Sequence, residues 1–228
     1  MFSNYCIIFD MDGVLADTGP IHFESWAKLA AEIGVNFTRE MFEDTFGQQS
    51  PTITRKLVGP KADEDLVEKW ANLKEQYYRE MIIEKLMPLP GVIRIIKELK
   101  LEGFKLAIGS SGPPENVELL LSQLKIKPFF DLIITAADIE KGKPEPDVFL
   151  KVANILNINP KSCMVIEDAP VGIEAAKRAG MISIAITTTH NKKELSDAQL
   201  IIKDLTEITL KDIINLFEKN AKTNKMKF

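Results

Sequence analysis

The sequence predicts an α/β protein, a doubly wound parallel sheet with an inserted α-helical cap. Three observations predict it. Short apolar runs recur along the chain, each followed by Gly, Ser, Asp or Pro. Helical patterns lie between most of them. One long segment near the N-terminus breaks this alternation with helical patterns alone.

The apolar runs are Tyr5 to Phe9, Leu106 to Ile108, Leu132 to Thr135, Cys163 to Ile166 and Ile182 to Ile186, with a weaker one from Leu200 to Ile202. Their apolarity is continuous rather than alternating, which suits strands buried on both faces of a parallel sheet. The helical patterns have a one-sided stripe: Val92, Ile95, Ile96 and Leu99, then Val117, Leu120, Leu121 and Leu124. Val148, Val152 and Ile155 repeat it, as do Ile173, Ala176 and Ala179, closed by Gly180. Alternation of this kind builds right-handed βαβ units.

Residues 17–87 carry helical patterns and no strand. Ile21 to Ile33 reads as one helix ending at Gly34, Thr38 as the N-cap of a second, and Glu64 to Ile83 as a long third. So long a segment is an inserted domain rather than a loop. The expected division is a core of residues 1–16 and 88–220, a helical cap of residues 17–87, and a frayed tail of residues 221–228. Thr18-Gly19-Pro20 and Met87-Pro88-Leu89-Pro90-Gly91 would be helix-breaking hinges.

With 228 residues, 45 % apolar and 27 % charged, the chain can bury a core without staples. A net charge of −4 gives no reason to expect nucleic acid or an acidic membrane as partner. Cys6 and Cys163 sit in strand-like runs and read as reduced, buried thiols. The early acidic cluster argues against a signal peptide, and no run is long enough for a bilayer. A monomeric cytoplasmic protein acting on a small phosphorylated metabolite is the expectation.

In open α/β sheets, sites form beyond the carboxyl ends of the strands. There the sequence puts Asp10 and Asp12, the pair Ser110-Ser111, Lys143 in the loop after the third run, and Glu167-Asp168. Crowded carboxylates raise one another's pKa or recruit a cation. Hard oxygen ligands suit Mg²⁺, held by Asp10, Asp168 and the backbone near Asp12. Ser110 with nearby N–H groups makes an anion seat, and Lys143 a point charge for a phosphate and an attacking carboxylate. Singly, each group has an ordinary use as a cap or a solvated charge. Together, at four strand ends, they are the parts of phosphoryl transfer.

Phe9-Asp10-Met11-Asp12-Gly13-Val14-Leu15, Ser110, Lys143 in Gly142-Lys143-Pro144 and Glu167-Asp168-Ala169-Pro170 resemble the four ordered motifs of the haloacid dehalogenase superfamily. The resemblance covers nearly the whole chain. It implies a Rossmann-like core, Asp10 as nucleophile forming an aspartyl phosphate, and Asp12 as acid and then base. Mg²⁺ would bridge Asp10, the Asp12 carbonyl and Asp168, with Glu167 beside it. An acid that donates at neutral pH requires burial and a negative neighbour to raise the pKa of Asp12.

The insert, from Ile21-His22-Phe23-Glu24-Ser25-Trp26, is similar to the cap of β-phosphoglucomutases and related sugar phosphatases. His22 and Lys74 match cap residues of the mutases, and Gln48, Gln49 and Lys56 would help read the substrate. The mutases carry an Arg just after the glycine turn; here Phe46-Gly47-Gln48-Gln49-Ser50 has none, and Arg55 is the nearest. Loss of that bidentate clamp favours a phosphatase over a phosphosugar mutase. A phospho-receiver would need neither the insert nor Asp12, and an inactive interaction protein would not need the full motif set.

Overall fold

The computed structural model describes residues 2–83 and 86–225. Strand β1 (Cys6–Phe9) leads into four helices: α1 (Gly19–Ile33), α2 (Arg39–Thr45), α3 (Ser50–Val58) and α4 (Glu64–Ile82). The chain returns through α5 (Val92–Leu101), β2 (Lys105–Gly109), α6 (Pro114–Gln123) and β3 (Leu132–Ile134). Next come α7 (Asp147–Ile155), β4 (Cys163–Glu167), α8 (Pro170–Arg178), β5 (Ile182–Ile186), β6 (Leu200–Ile202) and α9 (Leu210–Lys225).

The strands pair in parallel in the order β3-β2-β1-β4-β5-β6. The order reverses at β1, so its carboxyl end opens on the switch point where such sheets bind ligands. Both faces are covered. Ile7 and Phe9 pack with Val92, Ile96, Leu120 and Ile213 from α5, α6 and α9. Ile8, Ala107 and Val165 pack on the other face with Val148, Phe149, Val152 and Ala176 from α7 and α8. This two-sided burial is why the strands lack alternation.

Three expectations need correction. Gly19 and Pro20, expected to break a helix, instead open α1, because a proline in the first turn loses no helical bond. Helix α3 arises where the sequence suggested only a glycine turn; Pro51 stands in its first turn and only Ile53 and Leu57 mark its apolar side. The tail after Lys219 was expected to fray, yet α9 runs on to Lys225, anchored earlier by Ile213 and Phe217 on the sheet. Residues 226–228 of that expected tail lie outside the described residues.

The insert has its own core of Trp26, Leu29, Phe42, Phe46, Ile53 and Tyr77. Thr38 caps α2 by accepting from the Met41 N–H at 3.2 Å, as expected. At the entry to the insert Gly13 donates to Ala16 (2.9 Å), and the returning chain donates from Leu89 to Leu15 (2.9 Å), with Ala16 bridging Pro88. No helix among the described residues is long and apolar enough to cross a membrane. Leu29→Ala should lower the stability of the insert by about 2–5 kcal/mol, the usual cost of such a cavity, read as a lower urea midpoint with unchanged sheet signal.

Candidate active site

Backbone geometry brings the strand-end residues together. The Asp10 N–H bonds the Ile166 carbonyl, holding the ends of β1 and β4 in step (2.9 Å). Gly13, at φ 73°, lets the chain turn back under Asp168: a Cβ there would lie 1.8 Å from Asp168 Oδ2. Gly172 does the same for Glu167, whose Oε1 would lie 1.8 Å from an added Cβ.

At the centre Lys143, 4 % exposed, donates to Asp10 Oδ1 (2.5 Å) and to Glu167 Oε1 (2.6 Å). The other oxygen of Glu167 accepts from the Asp168 and Ala169 N–H groups (2.8 and 2.9 Å). Asp10, Glu167 and Asp168 each offer an oxygen within 4.8 Å of the others. Three buried carboxylates face one ammonium, so the cluster is short of positive charge. Burial pushes the Asp10 carboxyl up to about 8; Glu167 and Asp12 push the same way against the pull of Lys143. Asp168 is raised well above its usual range by burial, Glu167 and Asp10, with Thr189 opposing through a hydroxyl bond. Burial lowers the Lys143 pKa, but Asp10 and Glu167 outweigh it and hold the ammonium charged.

This donor set fits a divalent magnesium ion: hard oxygens, a surplus of negative charge and a pocket on one side. Asp10 and Asp168 are the carboxylates free to ligate. Both oxygens of Glu167 are already engaged by Lys143 and backbone N–H groups, so Glu167 holds the Asp168-Ala169 loop in place and would leave ligation to the other two.

Asp12 corrects an expectation. Burial would raise its pKa, but His22, the Thr18 hydroxyl and Lys74 outweigh burial and hold the carboxyl below its usual range. Thr18 Oγ1 donates to Asp12 Oδ1 (2.6 Å), the Tyr78 hydroxyl approaches the same oxygen (3.4 Å), and His22 Nε2 lies 3.2 Å from it without hydrogen-bond alignment. Of the two carboxylates that follow β1, it is therefore Asp10 and not Asp12 whose pKa stands above its usual range.

Ser110 ends β2, buried, with its hydroxyl accepting from the Gly112 N–H (3.0 Å). It does not cap α6, which starts at Pro114 behind Pro113 without a side-chain cap. Ser111 lines the pocket, and its Oγ is buried without a partner. From the cap, His22, Gln48 and Lys74 line the same pocket with Trp26, Phe46, Ser50 and Glu75. Lys74 Nζ lies 2.7 Å from His22 Nδ1 and 2.9 Å from Glu75 Oε1. Gln49 lines the neighbouring cleft instead. Lys56 is exposed and donates to Gln48 Oε1 (2.9 Å), away from the pocket floor.

Sequence reasoning missed Tyr78, Glu75, Asn116, Thr189 and His190. Tyr78, Glu75 and Asn116 lie on helices, and Thr189 and His190 follow β5 without a carboxylate, lysine or glycine turn that would mark that strand end. His190 follows β5; its ring nitrogens lie against the carbonyls of Asp168 (3.0 Å) and of Glu43 in α2 (3.1 Å).

A six-stranded parallel core, a four-helix insert after β1 and four converging motif ends define a haloacid dehalogenase-type enzyme. The chain belongs to the haloacid dehalogenase-like hydrolase family, whose model matches residues 7–186. It is 33 % identical over 215 residues to a β-phosphoglucomutase of Bacillus subtilis, covering 90 % of this chain and 91 % of that one. It is 31 % identical to a validoxylamine A 7'-phosphate phosphatase of Streptomyces hygroscopicus subsp. limoneus, covering 88 % and 94 %. Among solved structures, a β-phosphoglucomutase from Clostridium difficile superposes with a TM-score of 0.87 at 28 % identity, covering 95 % and 98 %. These relatives place the protein among enzymes that hydrolyse or transfer phosphate esters.

Lys143→Met should destabilise the fold by about 3–5 kcal/mol, because Asp10 and Glu167 would be left buried without a counter-charge. Chemical unfolding checks this, and most of the loss should disappear in Lys143→Met combined with Glu167→Gln.

Proposed function

We propose that this protein is a magnesium-dependent phosphatase hydrolysing a small sugar-type phosphate monoester through an aspartyl phosphate on Asp10. The observation that carries this reading is the charge balance on the cap side of the pocket. The Lys74 ammonium is committed to Glu75 and His22. Arg55 turns to Glu64 in an outer groove, and Arg79 donates to Asn116 (2.9 Å). No guanidinium among the described residues lines the pocket, so a second phosphate lacks the bidentate partner that a bisphosphate intermediate needs.

In the first step an Asp10 oxygen forms a bond to phosphorus while the bond from phosphorus to the leaving oxygen breaks. Asp12 supplies that oxygen with a proton. In the second, a water oxygen attacks phosphorus, the bond to Asp10 breaks, and Asp12 takes the water proton. The low resting pKa of Asp12 suits the second step. For the first, an incoming phosphate dianion and the charge of Asp10 favour its protonated form. Lys143 and the Ser110-Ser111 turn receive the phosphoryl oxygens. Asp10, Asp168 and the Asp12 carbonyl would hold the magnesium ion, which would neutralise phosphoryl charge. The segment of residues 17–87 acts as a closing cap that excludes bulk water and selects the leaving group.

A phosphosugar mutase is the second reading, favoured by the Bacillus relative and by His22 paired with Lys74. Phosphate release across sugar phosphates, phosphoglycolate and nucleotides should exceed conversion of β-glucose 1-phosphate to glucose 6-phosphate. Dominant conversion that requires a bisphosphate activator would overturn the phosphatase reading.

Asp10→Asn should lower turnover by at least about a thousandfold, since an amide does not attack phosphorus usefully; near-native phosphate release from a clean preparation would sink the mechanism. Ligation needs Asp10 and Asp168 ionised, and both pKa values are raised. Magnesium should therefore bind more tightly as pH rises towards about 8, with protons released on binding. Calorimetry in buffers of different ionisation enthalpy reads both effects.

A further inference from the structure

Asn116 lies on α6, in the sheet domain, yet both ends of its amide are spent on the cap. Its Nδ2 donates to Glu75 Oε2 (2.5 Å), and its Oδ1 accepts from Arg79 (2.9 Å). Glu75 and Arg79 stand one turn apart on α4, so one core side chain grips one face of the cap helix. Asn116 is 1 % exposed and Glu75 5 %.

The grip continues inward. The other Glu75 oxygen, Oε1, accepts from Lys74 Nζ (2.9 Å) and from the Ser50 hydroxyl at the start of α3. Lys74 Nζ in turn meets His22 Nδ1 (2.7 Å). A lysine ammonium only donates, so Nδ1 of His22 accepts and the ring proton sits on Nε2. That nitrogen is 3.2 Å from Asp12 Oδ1. The ring is also fixed face-on to Tyr78, with centroids 4.0 Å apart. A line of buried polar contacts thus runs from α6 through the cap to His22, whose Nε2 faces Asp12 Oδ1 without yet being aligned to bond it.

We propose that Asn116 and Glu75 are positioning residues: clamped by Asn116, Glu75 holds Lys74 and so sets the ring proton of His22 toward Asp12 when the cap is shut. The proposal rests on the reading of Asp12 as the group that serves the leaving oxygen. Without the clamp, Glu75 loses its tie to the core and Lys74 its fixed direction. His22 is then free to take the other tautomer and turn an acceptor toward Asp12. Substrates whose leaving group needs a proton should suffer, and substrates whose leaving group departs as a stable anion should not.

The test compares sorbitol 6-phosphate, an alkyl ester, with p-nitrophenyl phosphate, in the full-length protein with magnesium. Asn116→Ala removes both cap bonds. Asn116→Asp keeps the acceptor for Arg79 but sets a carboxylate against Glu75. Both variants should lose about tenfold or more in kcat on sorbitol 6-phosphate and less than about threefold on p-nitrophenyl phosphate. Equal losses on both esters, or no loss on either, would overturn the proposal. A near-native Asn116→Asp would overturn the role of Glu75. An activity-free readout keeps the two readings apart. The chain has only two histidines, so the ring nitrogens of His22 can be assigned by ¹⁵N NMR against His22→Gln. Native protein should show the proton on Nε2, and Asn116→Ala should shift the tautomer balance. An unchanged balance would overturn the clamp, and a native protein that hydrolyses neither ester would overturn the phosphatase reading instead.

Discussion

The Lys143 ammonium, shared between Asp10 and Glu167, is the interaction on which the rest of the site depends. Burying one carboxylate is costly and burying three at one strand switch point is more so, unless cations are supplied. Lys143 supplies one. The remaining surplus explains why Asp10 and Asp168 hold their protons so readily and why the donor set suits a divalent ion. The glycines at 13 and 172 belong to the same constraint, since each leaves the space that a carboxylate of this cluster occupies.

The two halves of the pocket are built on different electrostatic plans. The core half is acidic and under-neutralised, fit for a metal and a phosphoryl group. The cap half is balanced internally, with Lys74 set against Glu75 and aromatic walls from Trp26 and Phe46. On the proposed function, reaction type would reside in the first half and choice of leaving group in the second, where a polar but neutral surface suits hydroxyls better than a further anion.

Much of the core was legible in the sequence because strand burial and strand-end chemistry are both local signals. Each of the six apolar runs became a strand, with ends shifted by at most a residue or two. Asp10, Ser110 and Asp168 announced themselves by standing just past such runs, and Lys143 by its place in the loop after the third. The cap was harder. Helix α3 has too few apolar positions to show a stripe, and Gly19-Pro20 carries the same residues whether it breaks a helix or begins one. The pKa order of Asp10 and Asp12 was not legible at all: it depends on His22, Thr18 and Lys74 gathering around one carboxylate, which only folding shows. Asn116 was invisible for the same reason, being an unremarkable polar residue on a helix until α4 lies against it.

The crossing points between core and insert lie side by side, with Ala16 bridged to Pro88 and Leu15 to Leu89. Two antiparallel tethers joined in this way would act as a door hinge rather than a ball joint. Swinging about their common line remains cheap, while twisting or sliding would tear the bonds between them. An insert hung in this way would have essentially one rotational freedom, and the path by which His22 would approach Asp12 would be set by the backbone before any substrate arrives.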